Sequence, residues 1–134
     1  MGAWGYNTFE DDSTCDWAYD LYTAKNTVQF LRESLTPEDN NDYLEYDDCC
    51  AILGAAETVY SLLFEVRDSP PVEFQEWVQN HRGLDVTELK PVCVLGLNRV
   101  LSENSELNEL WSENSTDYPE WKGNIEGMIH AFNA

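Results

Sequence analysis

Three aspartates near the amino terminus, Asp12, Asp16 and Asp20, follow one another at intervals of four residues. In a helix this spacing places the three side chains on one face, and Glu10 and Asp11 lie directly before them. Carboxylate oxygens are the ligands that Ca²⁺ and Mg²⁺ prefer, so one hypothesis is a divalent-metal-binding site or a metal-dependent enzyme built on these acids. The other is a solvated helix face, and the spacing alone favours it.

A second acidic segment, PEDNNDYLEYDD, occupies residues 37–48. It does not fit the calcium loop of an EF-hand when it is aligned from Asp39. The sixth position, where glycine is needed, is Leu44, and the twelfth, where glutamate is needed, is Cys50. We therefore interpret the segment as an acidic loop without a calcium site.

The net charge limits the classes of partner. The 134 residues carry 26 acidic and 7 basic side chains, which gives a formal charge of -19. Such a field repels nucleic acid and anionic membranes and attracts basic surfaces. The basic residues are scattered, whereas binding to a phosphate backbone needs concentrated positive charge. We expect no direct nucleic-acid or membrane binding, and the charge provides either solubility, alone or within a larger assembly, or a surface for a basic protein. The oligomeric state is left open.

The hypothesis of a basic protein partner assigns the contact to the two acidic segments and to the tyrosines within them, because interfaces favour tyrosine. Its most concrete version is an immunity-type inhibitor whose carboxylates stand where a nucleic-acid-binding protein expects phosphates. The predicted contact residues are Glu10, Asp11, Asp16, Tyr19, Asp20, Asp39, Asp42, Tyr43, Glu45, Tyr46 and Asp47.

Motifs that would indicate a reaction are missing from the sequence. It contains no G-x-S-x-G, H-E-x-x-H, P-loop or G-x-G-x-x-G pattern. The four cysteines have no C-x-x-C spacing, and we expect them to be small buried hydrophobic residues. With no apolar run long enough for a membrane helix and no leader peptide, we expect a cytoplasmic protein without a cofactor, and a role other than catalysis is favoured.

Apolar residues recur at intervals of three and four, which predicts an all-α, single-domain bundle of about six helices. Residues 13–35 read as one helix with a joint near Lys25 and Asn26, capped by Asp12 or Ser13. A central helix follows the acidic loop, and prolines open later helices. Gly96 lies inside a predicted helix, which indicates close packing by a neighbouring element.

The opening residues MGAWGYNTFEDDSTCDW are similar to the start of the small bacterial proteins grouped as domain of unknown function 4259. Asn7 stands where that pattern has glycine, and Asp11 where it has asparagine. Weaker similarity follows in AAETVY (residues 55–60) and SELNELW (residues 105–111). The resemblance implies a shared fold and no activity. The matching positions are Gly2, Trp4, Gly5, Phe9, Asp12, Asp16 and Trp17.

A structural role accounts for this opening motif. We predict an ordered arm over residues 1–12 in which Gly2 and Gly5 let the backbone approach the bundle. Trp4 and Phe9 would insert into the core, and Asp12 would cap the first helix. The alternative is that the arm and the aspartates after it frame a functional site.

Overall fold

The computed structural model describes residues 2–38 and 42–134. Within them the chain forms seven α-helices and, in the same ranges, no strand longer than the single bridges Ala3–Asp11 and Leu44–Ser105. The all-α prediction is confirmed. The helices are α1 Asp12–Thr23, α2 Thr27–Leu35, α3 Tyr46–Leu63, α4 Val72–Asn80, α5 Lys90–Val100, α6 Glu106–Ser112 and α7 Tyr118–Asn133, with a 3₁₀ turn Thr87–Leu89 before α5.

The extra helix arises at the predicted joint, which is a complete break. Helix α1 ends at Thr23, and the backbone of Ala24 is extended. The side chain of Asn26 accepts a hydrogen bond from the backbone N–H of Gln29 at 3.1 Å and so caps α2. The prediction of a single helix over residues 13–35 is therefore wrong, although the position of the joint is right.

Helix α3 is the centre of the bundle. It contacts each of the other six helices, and residues 52–59 form an unbroken buried run. A helix that is apolar on all sides is stable only when it is buried on all sides. The helices around α3 therefore cover it completely along this stretch.

Two glycines allow the closest helix contacts. A Cβ atom on Gly96 would lie 3.0 Å from Cγ2 of Ile52 and 3.1 Å from the carbonyl oxygen of Leu35, which confirms the predicted close packing. Gly54 faces the indole of Trp17, where a Cβ atom would lie 2.5 Å from Cε3. No local pattern predicts the second contact, because it joins two helices that are far apart in the chain.

The acidic loop is attached to the start of α6 by Leu44. Its N–H donates to the carbonyl of Asn104 at 2.7 Å, and its carbonyl accepts from the N–H of Glu106 at 2.9 Å. Because α3 begins at Tyr46, the last residues of the predicted loop are helical instead.

Three of the four cysteines, Cys49, Cys50 and Cys93, are buried as expected, and Cys15 is partly exposed. None of the helices in the described ranges combines the length and apolar character needed to span a membrane.

Candidate functional site

The amino-terminal arm is a closed loop held by its own backbone. Ala3 and Asp11 form an antiparallel bridge, and the N–H of Trp4 donates to the carbonyl of Glu10 at 2.9 Å. The carboxylate of Glu10 accepts from the N–H of Asn7 at 3.2 Å across the loop. These bonds join the two ends of the arm to each other.

The two aromatic residues of the arm point in different directions. Phe9 is buried, with its ring centroid 4.5 Å from that of Phe74. Trp4 is 61% exposed, so the prediction that it inserts into the core is wrong. The chain reverses direction between Trp4 and Glu10, and most of the Trp4 side chain faces solvent. Gly5 gives the Glu10 carboxylate its room, since a Cβ atom there would lie 2.6 Å from it and the flexible Glu10 side chain would have to move.

Asp11, predicted as a partner contact, is a buried structural residue. Its side chain accepts from the N–H of Ser13 at 2.8 Å and caps α1, so the cap is Asp11 and not Asp12. It also accepts a hydrogen bond from the hydroxyl of Tyr46. Partial burial, followed by this hydrogen bond and the negative charge of Asp11, raises the pKa of Tyr46 above its usual range. Asp11 and the Tyr46 hydroxyl therefore bind each other inside the protein, where they have a structural role.

The remaining acids of the first segment lie on the surface. Asp12, Asp16 and Asp20 are exposed on α1, and Tyr19 is 65% exposed beside them. Across residues 2–38 and 42–134, no group of three or more His, Cys, Asp or Glu side chains is placed to hold a metal ion. The geometry therefore gives the metal hypothesis no support.

The second acidic segment adjoins the first. Asp42, Glu45 and Asp47 are exposed, whereas Asp39 lies outside the described residues. The hydroxyl of Tyr43 donates to Glu109 at 3.1 Å. Because Tyr46 bonds to Asp11, the first turn of α3 lies against the first turn of α1. The starts of α1 and α3 therefore meet at this junction, and the exposed Asp12 and Asp47 are the direct neighbours of the two bonded residues in the chain.

A buried ion pair beneath the arm was missed by sequence reasoning. Glu57 in α3 is 4% exposed and accepts from Arg67 Nε at 2.8 Å and Nη2 at 3.0 Å. Thr8 of the arm donates to the same carboxylate at 2.7 Å, and Arg67 also donates to the carbonyl of Asn124 in α7 at 3.2 Å. Burial lowers the pKa of Arg67, but the hydrogen bonds and charge of Glu57, together with the nearby Asp68 and Tyr60, outweigh this and leave the pKa raised. The sequence signal that could have indicated this ion pair was Glu57 itself, the one acid in the otherwise uncharged part of α3.

A groove of about 220 Å³ opens above this ion pair, between the arm and the segment that follows α3. Asp68 and Ser69 on its far side have positive φ angles of 60° and 48°. Left-handed backbone at residues other than glycine is uncommon and is concentrated at functional sites. The groove residues are Trp4, Asn7, Thr8, Phe9, Glu10, Glu57, Arg67, Asp68, Ser69, Pro70 and Pro71.

The family model described as a domain of unknown function (DUF4259) matches residues 2–124. The chain belongs to this family. The match begins in the arm and ends within α7, so the DUF4259 domain comprises the arm and the whole bundle apart from the end of α7. No curated protein and no solved structure matches the chain.

Packing explains most of the opening motif in this DUF4259 domain. Phe9 and Trp17 are buried, and Gly5 lies directly against the Glu10 carboxylate. Gly2 is not confined in this way, since a Cβ atom there would make only ordinary contacts, the nearest at 3.8 Å. Trp4 differs from the other aromatic residues of the motif, because most of its surface faces solvent at the edge of the groove.

Proposed function

We propose that this DUF4259 domain is an acidic interaction module that binds a basic surface of a protein partner. The observation that supports it best is the hydrogen bond between Asp11 and Tyr46, because it joins the start of α1, in one acidic segment, to the start of α3, in the other. We define the acidic face as the exposed acids of the two segments together with Tyr19: Asp12, Asp16, Tyr19, Asp20, Asp42, Glu45 and Asp47.

The charges of the acidic face support the proposal. The ion pairs found among the described residues join Arg32 to Glu88 and Arg67 to Glu57 and Asp68, and they include no member of this face. With a formal charge of -19, the whole molecule adds to the local field. A basic partner would therefore associate quickly, with a rate that falls as salt is added.

Tyr19 supplies an apolar contact within the acidic face. It is 65% exposed, and its ring meets the edge of Tyr22 with centroids 6.1 Å apart. Partial burial and, after it, the nearby charge of Glu73 raise the pKa of Tyr22 to about 12. Tyr22 therefore stays neutral, and a partly exposed tyrosine pair beside carboxylates suits the anchor position of an interface.

The most specific form of the proposal is an inhibitor in the cytoplasm. Carboxylates spaced along α1 and at the start of α3 would occupy the site where a toxin or other nucleic-acid-acting enzyme binds phosphates. Such an inhibitor competes directly with the nucleic acid, and its association depends steeply on salt.

The test begins with capture of a partner from lysate of the source cell at low salt, followed by binding measurements on the purified pair. We expect the triple variant Asp16→Asn, Asp20→Asn, Asp47→Asn to weaken binding roughly tenfold or more, because it removes three charges from the face. The matched control, Glu113→Gln, Glu120→Gln, Glu126→Gln, removes the same charge from exposed glutamates elsewhere. Equal losses for both variants, or binding insensitive to salt, would contradict the proposal.

The metal hypothesis is separated by melting the wild-type protein with Mg²⁺, Ca²⁺, Mn²⁺ or Zn²⁺. A ligand that binds only the native state raises the melting temperature. An increase that disappears in the Asp16→Asn, Asp20→Asn, Asp47→Asn variant would favour a metal site over a protein-binding face.

A further inference from the structure

The groove beside Trp4 has the size of a single side chain. Its volume of about 220 Å³ is below the roughly 300–1,000 Å³ of pockets that bind cofactors and drug-sized ligands. Phe9, Pro70 and Pro71 provide apolar surface, and the exposed indole of Trp4 lies at its edge. An elongated side chain with an apolar stem and a polar end fits these dimensions.

The charge of the groove selects a cation. Its lining contains the carboxylates of Glu10, Glu57 and Asp68 and the guanidinium of Arg67. Glu57 and Arg67 neutralise each other through two hydrogen bonds of 2.8 and 3.0 Å. Asp68 also approaches Arg67 Nε at 3.8 Å, but three carboxylates against one guanidinium leave an excess of negative charge, so the groove is anionic as well as aromatic.

The groove is also preorganised. The backbone N–H of Trp4 donates to the carbonyl of Glu10 at 2.9 Å, which holds together the two backbone segments that carry the indole and the first carboxylate. The side chain of Arg67, which lines the floor, is held by both Glu57 and the carbonyl of Asn124. Walls that are fixed before binding reduce the entropy lost when a ligand enters.

We propose that the groove binds the guanidinium group of an arginine side chain presented by the protein partner. The flat face of the guanidinium stacks on the Trp4 indole, and its N–H groups donate to Glu10 and Asp68. A lysine ammonium is a point charge and cannot combine planar stacking with the same fork of donors. This inference rests on the proposed function for its ligand, since the arginine belongs to the basic partner.

The test uses the full chain and NMR titration with a capped Gly-Arg-Gly peptide. The Nε1–H resonance of Trp4 is assigned by its loss in Trp4→Phe. We expect a saturable shift of this resonance with a dissociation constant on the order of millimolar, as befits one side chain with few contacts. The same peptide with citrulline in place of arginine has no charge and should leave the resonance unmoved, and the lysine peptide should bind several-fold more weakly.

Variants of the two carboxylates identify the site. Glu10→Gln and Asp68→Asn should each weaken arginine binding about twofold to fivefold, as expected for partly exposed ion pairs. Asparagine is chosen at position 68 because it tolerates positive φ better than most residues. The control Glu113→Gln lies outside the groove lining and should change nothing. Equal shifts with the citrulline peptide, or shifts confined to α1, would overturn the inference.

The outcomes of these experiments distinguish failure of the groove inference from failure of the proposed function. The variant Asp16→Asn, Asp20→Asn, Asp47→Asn leaves every groove residue in place, so it should still bind the arginine peptide. If the purified partner is lost in that variant while Glu10→Gln and Asp68→Asn bind it normally, the groove inference fails and the proposed function stands. If the peptide binds but neutralising the acidic face has no effect on the partner, the proposed function fails at that face.

Discussion

The hydroxyl of Tyr46 donates a hydrogen bond to the buried carboxylate of Asp11, while the same carboxylate caps α1 through the N–H of Ser13 at 2.8 Å. One side chain therefore fixes the start of α1 and holds the start of α3 against it. This contact joins the starts of two helices that also pack against each other further along, where Gly54 faces the Trp17 indole.

Removing the hydroxyl in Tyr46→Phe should lower the free energy of unfolding by about 1–3 kcal/mol, because the buried carboxylate loses one of its donors. Urea denaturation measures the change. The matched control is Tyr43→Phe, whose hydroxyl binds the exposed Glu109 and which should lose much less stability, because both partners face solvent. Similar losses for the two variants would show that the Asp11 contact has no special importance.

Asp11→Asn should be tolerated far better than Asp11→Ala. The amide oxygen of asparagine still caps the N–H of Ser13, and the amide N–H₂ group donates to Tyr46, which then accepts. Alanine removes both contacts and should lose about 2–3 kcal/mol, the sum of a helix cap and a buried hydrogen bond. Thermal unfolding of the two variants distinguishes them, and equal destabilisation would contradict this view of the site.

The sequence predicts the helices well because their signals are local. Pro91 and Pro119 lie in the first turns of α5 and α7, and Asn26 marks the break before α2. The residue that caps α1 could not be predicted in the same way, because four consecutive residues all carry side-chain acceptors: Glu10, Asp11, Asp12 and Ser13. Which of them caps the helix depends on the Ala3–Asp11 bridge, and that pairing is not encoded in a periodic pattern.

The candidate site was less predictable, because it is assembled from distant segments. The arm folds back on itself, and this reversal decides that Trp4 faces solvent and Phe9 faces the core. Glu57 was visible as an acid in an apolar helix, but its partners Thr8 and Arg67 come from different elements. An aromatic pattern in an irregular segment does not indicate which rings are buried.

Gly54→Ala tests the contact between α3 and the Trp17 indole. The added methyl would lie 2.5 Å from Cε3 of Trp17, a distance that requires the ring or the helix to move. Overpacking of this kind should lower the free energy of unfolding by about 1–3 kcal/mol in urea denaturation. Gly123→Ala is the matched control in a helix, because its Cβ atom meets nothing within 4 Å, and it should stabilise the protein by about 0.4–1 kcal/mol.

Stability should fall at alkaline pH because the buried thiols resist ionisation. Burial raises the pKa of Cys93 from 9.0 to about 12, and the pKa values of Cys15, Cys49 and Cys50 are also raised, chiefly by burial. Between pH 9 and pH 12 the unfolded chain has released the Cys93 proton that the native state retains. Each pH unit in this window should therefore lower the free energy of unfolding by up to about 1.4 kcal/mol per such thiol.

The slope of the free energy of unfolding against pH separates the effect of Cys93 ionisation from the effect of Cys93 packing. Cys93→Ala opens a small cavity and lowers stability at every pH, but it should flatten the curve by about 1 kcal/mol between pH 9 and pH 10, approaching 1.4 kcal/mol per pH unit above that range. Val100→Ala, at a fully buried position of the same helix, also creates a cavity but removes no titrating group, so it should shift the curve without changing its slope. Urea denaturation at pH 8, 9 and 10 under reducing conditions compares the three proteins. Parallel curves for all three would mean that Cys93 ionises as readily in the native state as in the unfolded chain, and that α5 admits water at this position.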